Sequence, residues 1–260
     1  MRNNMMRIIL SVLLVMAVTG CSVKEDRRKC PCVMDLDFSG LDTDVIESVN
    51  VLVRSADGIV FIDSIPATAF NDRYERKVPH DVLAVSVWCG DEGMSDEGAL
   101  VHIPYGVECP PVYMDCFVAD TRAELFRKKV SLHKNYCRLT IEMPDREDLP
   151  YSLIFKGGVD GYDVSGNPSS GDFSCVAYPE AESGMQVVLP RQIDSSLLLQ
   201  VDDQVPYVKT FALGEYLAAG GYDWTAEELA DVTVVLDYSM KVISVHIAPW
   251  DKDEIYNVIL

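Results

Sequence analysis

Basic residues are scarce in this 260-residue chain: 22 Lys and Arg stand against 41 Asp and Glu, a formal net charge of −19. A surface that acidic repels phosphate backbones, which excludes nucleic acid as a partner. Histidine is also rare. The four, His80, His102, His133 and His246, lie in unrelated segments, and none falls in H-E-x-x-H or another spacing that gathers ligands on one face. The chain has no G-x-S-x-G elbow, phosphate-cradling glycine loop or kinase-like set. These absences leave no catalytic residue, metal ligand or cofactor to nominate, and the chain reads as a non-enzyme. A glycosidase needs two carboxylates facing each other across a cleft, and acidic composition alone assigns no such pair. Beyond the first twenty residues there is no long apolar run, so no later segment reads as a membrane-spanning helix.

The one apolar run lies at the start. Arg2 and Arg7 precede an apolar stretch over residues 8–18, too short to span a bilayer of ~30 Å as a helix. The run ends in Val18-Thr19-Gly20-Cys21, which resembles the lipobox of bacterial lipoproteins. That likeness predicts cleavage between Gly20 and Cys21 and acylation of the Cys21 sulfur. Each buried methylene contributes ~0.8 kcal/mol, and two or more acyl chains anchor a protein stably. Removal of the leader takes two basic groups with it and leaves 20 against 41 acidic ones, a net charge of −21. The lipid is then the only membrane contact, because no polybasic patch is present.

Seven cysteines remain: Cys30, Cys32, Cys89, Cys109, Cys116, Cys137 and Cys175. An odd number leaves one unpaired unless it bonds to another chain. Cys30-Pro31-Cys32 is too closely spaced for a structural zinc pair and is not a C-x-x-C redox motif. Cys137 and Cys175 lie in strand-like text and read as small buried hydrophobes.

The body of the chain consists of short alternating strands divided by turn residues, the pattern of an all-β sandwich. Met34, Leu36 and Phe38 alternate with Asp35 and Asp37, and Val49, Val51 and Val53 repeat the pattern. It returns in Leu83, Val85 and Val87, and again in Leu139, Ile141 and Met143. Val232, Val234, Leu236 and Tyr238 lead through Ser239-Met240-Lys241 to Ile243, Val245 and Ile247, the clearest hairpin in the sequence. Ala56-Asp57-Gly58 reads as a hairpin turn, and residues 161–171 as the longest, mobile loop. A short helix is expected at 121–128, followed by a strand at 129–133. A helical insertion over 211–219 should stop at Gly220-Gly221, and Thr225 to Glu228 matches a capping box. The organisation is a leader at 1–20, a lipidated tether at 21–32, a first domain at 33–126 and a second at 127–260.

The carboxyl end is unusual. After a polar break, Ile255, Tyr256, Asn257, Val258, Ile259 and Leu260 end the chain as a β-branched, apolar segment. Exposed apolar tails invite aggregation, so this one should pair with a sheet edge, in its own molecule or in a partner. Trp88, Trp224 and Trp250 are the candidates for stacking on sugars in an alternative reading, a surface glycan-binding lipoprotein.

Several stretches together resemble the FimB-type fimbrial anchor lipoproteins. They are Cys21 to Arg27, Cys30-Pro31-Cys32, Leu36-Asp37-Phe38 and the run from Val130 to Cys137. Leu213-Gly214-Glu215-Tyr216, Tyr222-Asp223-Trp224-Thr225 and the hairpin ending at Trp250 complete the likeness, while residues 55–80 do not share it. The resemblance implies two tandem transthyretin-like β-sandwich domains, the second with a short helical insertion. It also implies outer-membrane attachment through Cys21, exposure at the cell surface, and a non-catalytic role in anchoring a fimbrium and limiting its growth. The implied partner is a fimbrillin-like stalk subunit, with residues 255–260 as the candidate donor strand.

Overall fold

The alternation at Met34 and Leu36 buries both side chains almost completely in β1 (Cys32–Asp37). The computed structural model describes residues 30–90, 99–142, 152–178, 185–202, 209–236, 242–248 and 254–259. β1 is the middle of a three-stranded sheet, antiparallel to β4 (Tyr74–Val78) and parallel to β8 (Leu125–Lys129). A second sheet is antiparallel throughout. Its order is β3 (Gly58–Pro66), β2 (Ser48–Ser55), β5 (Val82–Cys89), β7 (Tyr113–Asp120) and β9 (His133–Lys134). Val49, Val51, Val53, Leu83, Val85 and Val87 face Met34, Leu36, Phe38 and Tyr74 from the first sheet, and together they form one core. A period of two puts each apolar set on a single face, and the facing sheet removes it from water. Gly58 follows the Ala56-Asp57 turn with φ 138°, a conformation that favours glycine.

Residues 121–128 do not form the expected helix. Leu125 to Lys129 are a strand beside β1, with Met34 opposite Phe126, and Phe126 packs against the first core. The strand is short and mostly charged, so its own text carries no β signal; the pairing with β1, some ninety residues away, decides its conformation. β8 therefore lies across residue 126, and the chain passes toward the second core through Val130 to Asn135.

The second half has two further sheets. In one, β12 (Pro168–Ala177), β11 (Ser152–Tyr162), β14 (Leu198–Asp202) and β15 (Lys209–Phe211) are neighbours, and β6 (Val101–His102) pairs with the end of β11. In the other the order is β13 (Met185–Pro190), β10 (Tyr136–Glu142), β16 (Asp231–Leu236), β17 (Val242–Ala248) and β18 (Glu254–Ile259). Leu139, Ile141, Val232 and Val234 are buried as their alternation requires, and so are Cys137 and Cys175. The expected hairpin is present: Val234 lies opposite Val245 and Thr233 opposite His246. Its turn, 239–241, lies outside the described residues, as does Met143.

The single α-helix among the described residues, α1 (Leu213–Ala219), ends at Gly220, and Gly221 turns the chain away with φ 86°. Two other expectations fail here. The stretch 161–171 is not a long loop, since β11 runs to Tyr162 and β12 begins at Pro168. Gly161 serves close packing instead: a Cβ there would stand 2.2 Å from the Val101 carbonyl oxygen of β6. The capping box does not form either. Thr225 Oγ1 donates to Asp223 Oδ1 at 2.6 Å, and Glu228 accepts from the Lys134 amide at 2.8 Å. A contact between distant segments took the carboxylate that a local helix start would have used.

Residues 32–260 are one unit. Leu52, Trp88 and Met114 point from the outer face of the second sheet into the second core, where Leu100, Ile103 and Val112 join them. The Ser86 hydroxyl donates to the Val164 carbonyl across the same seam. The second sheet is thus covered at one end on both faces, which fuses the two halves.

Candidate functional site

Side chains from both halves meet at a polar seam beside β9. Lys134 is buried, with its ammonium on Asp231 and 4.7 Å above the Tyr136 ring. Asp231 also accepts from the Arg138 amide at 2.8 Å. His133 Nδ1 lies 3.0 Å from Glu228 Oε1, and its Nε2 lies 3.3 Å from Glu227. The Tyr113 and Tyr136 hydroxyls are 2.9 Å apart, with rings edge to face at 5.4 Å.

Arg191 is the hub of the neighbouring loop. Its Nη1 donates to the Trp224 and Ala226 carbonyls at 2.6 and 2.7 Å, Nη2 to Glu227 O at 3.3 Å, and Nε to Asn135 Oδ1 at 3.1 Å. Burial lowers its pKa from the ordinary arginine value. Sequence reading assigned nothing to Lys134, Arg191 or Asp231. They stand far apart in sequence, and only the fold pairs Lys134 with Asp231 and sets Arg191 against Asn135.

A cleft of about 890 Å³ opens between Val45, Ser48, Tyr113, Tyr136 and Arg138, with Cys89 on its wall. It offers no activated nucleophile, because burial pushes the Cys89 thiol up to about 11. The four histidines are carried by separate elements: His80 lies in the bend after β4, His102 is on β6, His133 on β9 and His246 on β17. Among the described residues no cluster of three or more metal-ligating side chains occurs.

The two described tryptophans do not form a sugar platform. Trp88 and Trp224 are 1% and 7% exposed, both inside the second core, and Trp250 lies outside the described residues. The seven described cysteines are all unbridged. Burial pushes the Cys116, Cys137 and Cys175 thiols up to about 12. At pH 8 these three and Cys89 should react with a thiol reagent about 100-fold more slowly than exposed Cys30. Unfolding should equalise the rates; fast native labelling of Cys137 would contradict the buried packing.

Gly20, Cys21 and Leu260 lie outside the described residues. Residues 255–259 form most of β18, which pairs antiparallel with β17, Val245 opposite Tyr256 and Ile247 opposite Glu254. The tail thus occupies an edge of its own sheet. At another edge, Asp63 of β3 accepts from Arg76 and from the Tyr74 hydroxyl of β4, closing the open side of the first core. Burial raises the Asp63 pKa, but the Arg76 and Tyr74 hydrogen bonds outweigh it, and the net shift is downward. Its contribution is therefore present above the ordinary carboxylate pKa of about 4 and is lost as pH falls through the lower folded value. Stability measured by denaturant from pH 7 to pH 3 should fall less steeply in Asp63→Asn than in the parent.

No protein-family model and no curated protein matches the chain. Solved structures do match in fold, among them a fimbrial anchor protein of Porphyromonas and candidate adhesin and polysaccharide-binding proteins of Bacteroides. The fimbrial anchor protein Mfa2 of Porphyromonas gingivalis overlays with a TM-score of 0.57 at 12% identity, over 88% of this chain and 99% of that one. A candidate polysaccharide-binding protein of Bacteroides thetaiotaomicron gives 0.63 at 11% identity, over 87% and 98%. A candidate adhesin of Bacteroides ovatus gives 0.54 at 15%, over 88% and 95%. At such identities the likeness is one of fold.

Proposed function

We propose that the chain is an outer-membrane lipoprotein that seats a fimbrium at the cell surface and limits its growth. The observation that carries this reading is the overlay with a fimbrial anchor protein, which takes in nearly all of both chains. On this reading the two cores are tandem transthyretin-like sandwich domains, Cys21 carries the acyl chains, and the partner is a fimbrillin-like stalk subunit. Residues 255–260 are the donor strand. In the unbound chain the tail is held against β17, and it passes to the stalk subunit by exchanging one set of strand pairs for another. Six residues contribute several kcal/mol at ~1 kcal/mol net per hydrogen bond plus apolar burial. An anchor held by its amino terminus keeps its own first strand, so the groove that a stalk subunit's strand would fill stays occupied, and growth stops there.

Two measurements test this. Radiolabelled palmitate should enter the native chain and not Cys21→Ser. Deletion of residues 255–260 should release fimbriae into the medium while the anchor stays folded and membrane-bound. Fimbriae retained at parental levels would sink the donor role. The glycan-binding alternative loses its two described tryptophans to the core.

A further inference from the structure

Most strand edges in the described residues are blunted. β4 presents Glu75, Arg76 and Lys77, and β8 presents Arg127, Lys128 and Lys129, charged rows that discourage added strands. β13 is covered: Cys109 N–H donates to the Val188 carbonyl at 3.2 Å, and the Glu108 carboxylate accepts from Val188 N–H. β12 is met by Gly106 N–H, 2.8 Å from the Ser174 carbonyl. β9 and β15 have two and three residues, too short to template a partner.

β3 differs. It is nine residues long, ends its sheet, and carries one charged side chain, Asp63. The Ser64 amide turns to Asp63 Oδ1 at 3.0 Å, and Asp63 itself is held by Arg76 and Tyr74 of β4, which leaves 58–62 as the open length. Beside that edge the outer face of the sheet is apolar. Register places Ile59 opposite Arg54, Arg54 opposite Ala84, Ala84 opposite Val118, and Ile62 opposite Leu52. Ile59 and Ile62 are 52% and 51% exposed, and Val82 and Val118 are exposed beyond them. The strip continues into Leu52 and Ser86, where the second half already covers the same face. Arg54 stands in its middle with no ion pair to any described residue, a lone cation on a chain with 41 acidic groups.

We propose that β3 accepts an extended strand from another polypeptide, whose alternate apolar side chains cover Ile59 and Ile62 and whose carboxylate meets Arg54. The open backbone supplies main-chain hydrogen bonds, the exposed isoleucines select apolar residues at every second position, and the guanidinium selects an acid. Exposed apolar strips of this kind mark contact surfaces. The site is separate from the tail and does not depend on the fimbrial reading.

The test uses the full chain in detergent and an acetylated, amidated eight-residue peptide that alternates valine and threonine around one glutamate. Binding should saturate in fluorescence anisotropy, and hydrogen-exchange protection should be confined to 58–62. Ile62→Lys should weaken binding at least about tenfold, because an edge lysine opposes strand addition. Arg54→Gln should weaken it about threefold, as should glutamine in the peptide, and the two changes together should cost no more than either alone. Both positions are partly or largely exposed, so unchanged circular dichroism and melting verify the fold. No binding, protection at 254–259 instead, or equal binding by Ile62→Lys overturns the proposal. So does self-association in sedimentation that Ile62→Lys abolishes, which assigns the strip to a second copy. Removing residues 255–260 tests the fimbrial reading alone and should leave this titration unchanged.

Discussion

Replacing Arg191 with methionine should destabilise the chain by about 2–4 kcal/mol, because it removes a half-buried charged donor from several neutral acceptors. The methionine keeps the length of the side chain, so packing survives while the hydrogen bonds go. The carbonyls of Trp224 and Ala226 then lose donors 2.6 and 2.7 Å away, and Asn135 loses the Nε contact. Each such charge-assisted bond contributes about 1.5–3 kcal/mol, and the losses are not additive. Arg191→Lys should recover less than half, since one ammonium cannot reproduce a planar fork that reaches two segments. Urea denaturation reads both. A loss below about 1 kcal/mol in Arg191→Met would show that water replaces the guanidinium and that the loop does not depend on it.

Trp88→Ala should cost about 3–5 kcal/mol, the usual range for emptying an aromatic site in a core. Trp88→Phe should cost only about 1 kcal/mol. The indole Nε1–H has no hydrogen-bond partner among the described residues, so phenylalanine gives up area but no bond. The location of Trp88 makes this measurement informative about more than one side chain. It belongs by strand to the second sheet and by packing to the second core, so the void opens on the seam between the halves. A single cooperative transition that shifts as a whole is expected. Two separated transitions in the alanine variant would mean that the halves unfold independently and that the seam transmits little.

Particular residues show how much could be read in advance. Met34, Leu36, Val49, Val51 and Val53 alternate in the chain and are buried in the structure, because a strand's period of two translates text directly into faces. The Val234–Val245 hairpin was legible for the same reason, its partners being close in sequence. Gly220 and Gly221 marked the end of α1 because few other residues tolerate the conformation that follows a helix. Where the text misled, a distant partner had overruled a local signal. Residues 125–129 pair with β1, and Glu228 bonds to Lys134 rather than capping its own turn. Gly161 and Gly171 lie within strands, Gly161 for close approach to Val101, and only Gly166 serves the turn between them.

For the candidate site the division is similar. The tail's preference for a sheet edge was readable from its apolar, β-branched composition, and the structure places residues 254–259 on β17. Which tryptophans were buried, and that β3 keeps an open and nearly uncharged edge, was not readable. Burial and edge exposure depend on what neighbouring strands leave uncovered.

What the amino-acid order determined unaided is the class of local element at each alternating segment and the face each side chain takes, since backbone geometry and side-chain period act over a few residues. The tertiary structure alone decided strand neighbours, the parallel pairs β1–β8 and β10–β16, the fused seam around Trp88, the Lys134–Asp231 pair and the acceptors gathered around Arg191. Those choices minimise exposed apolar area and unpaired polar groups over the whole chain at once, and no short window of sequence contains that sum.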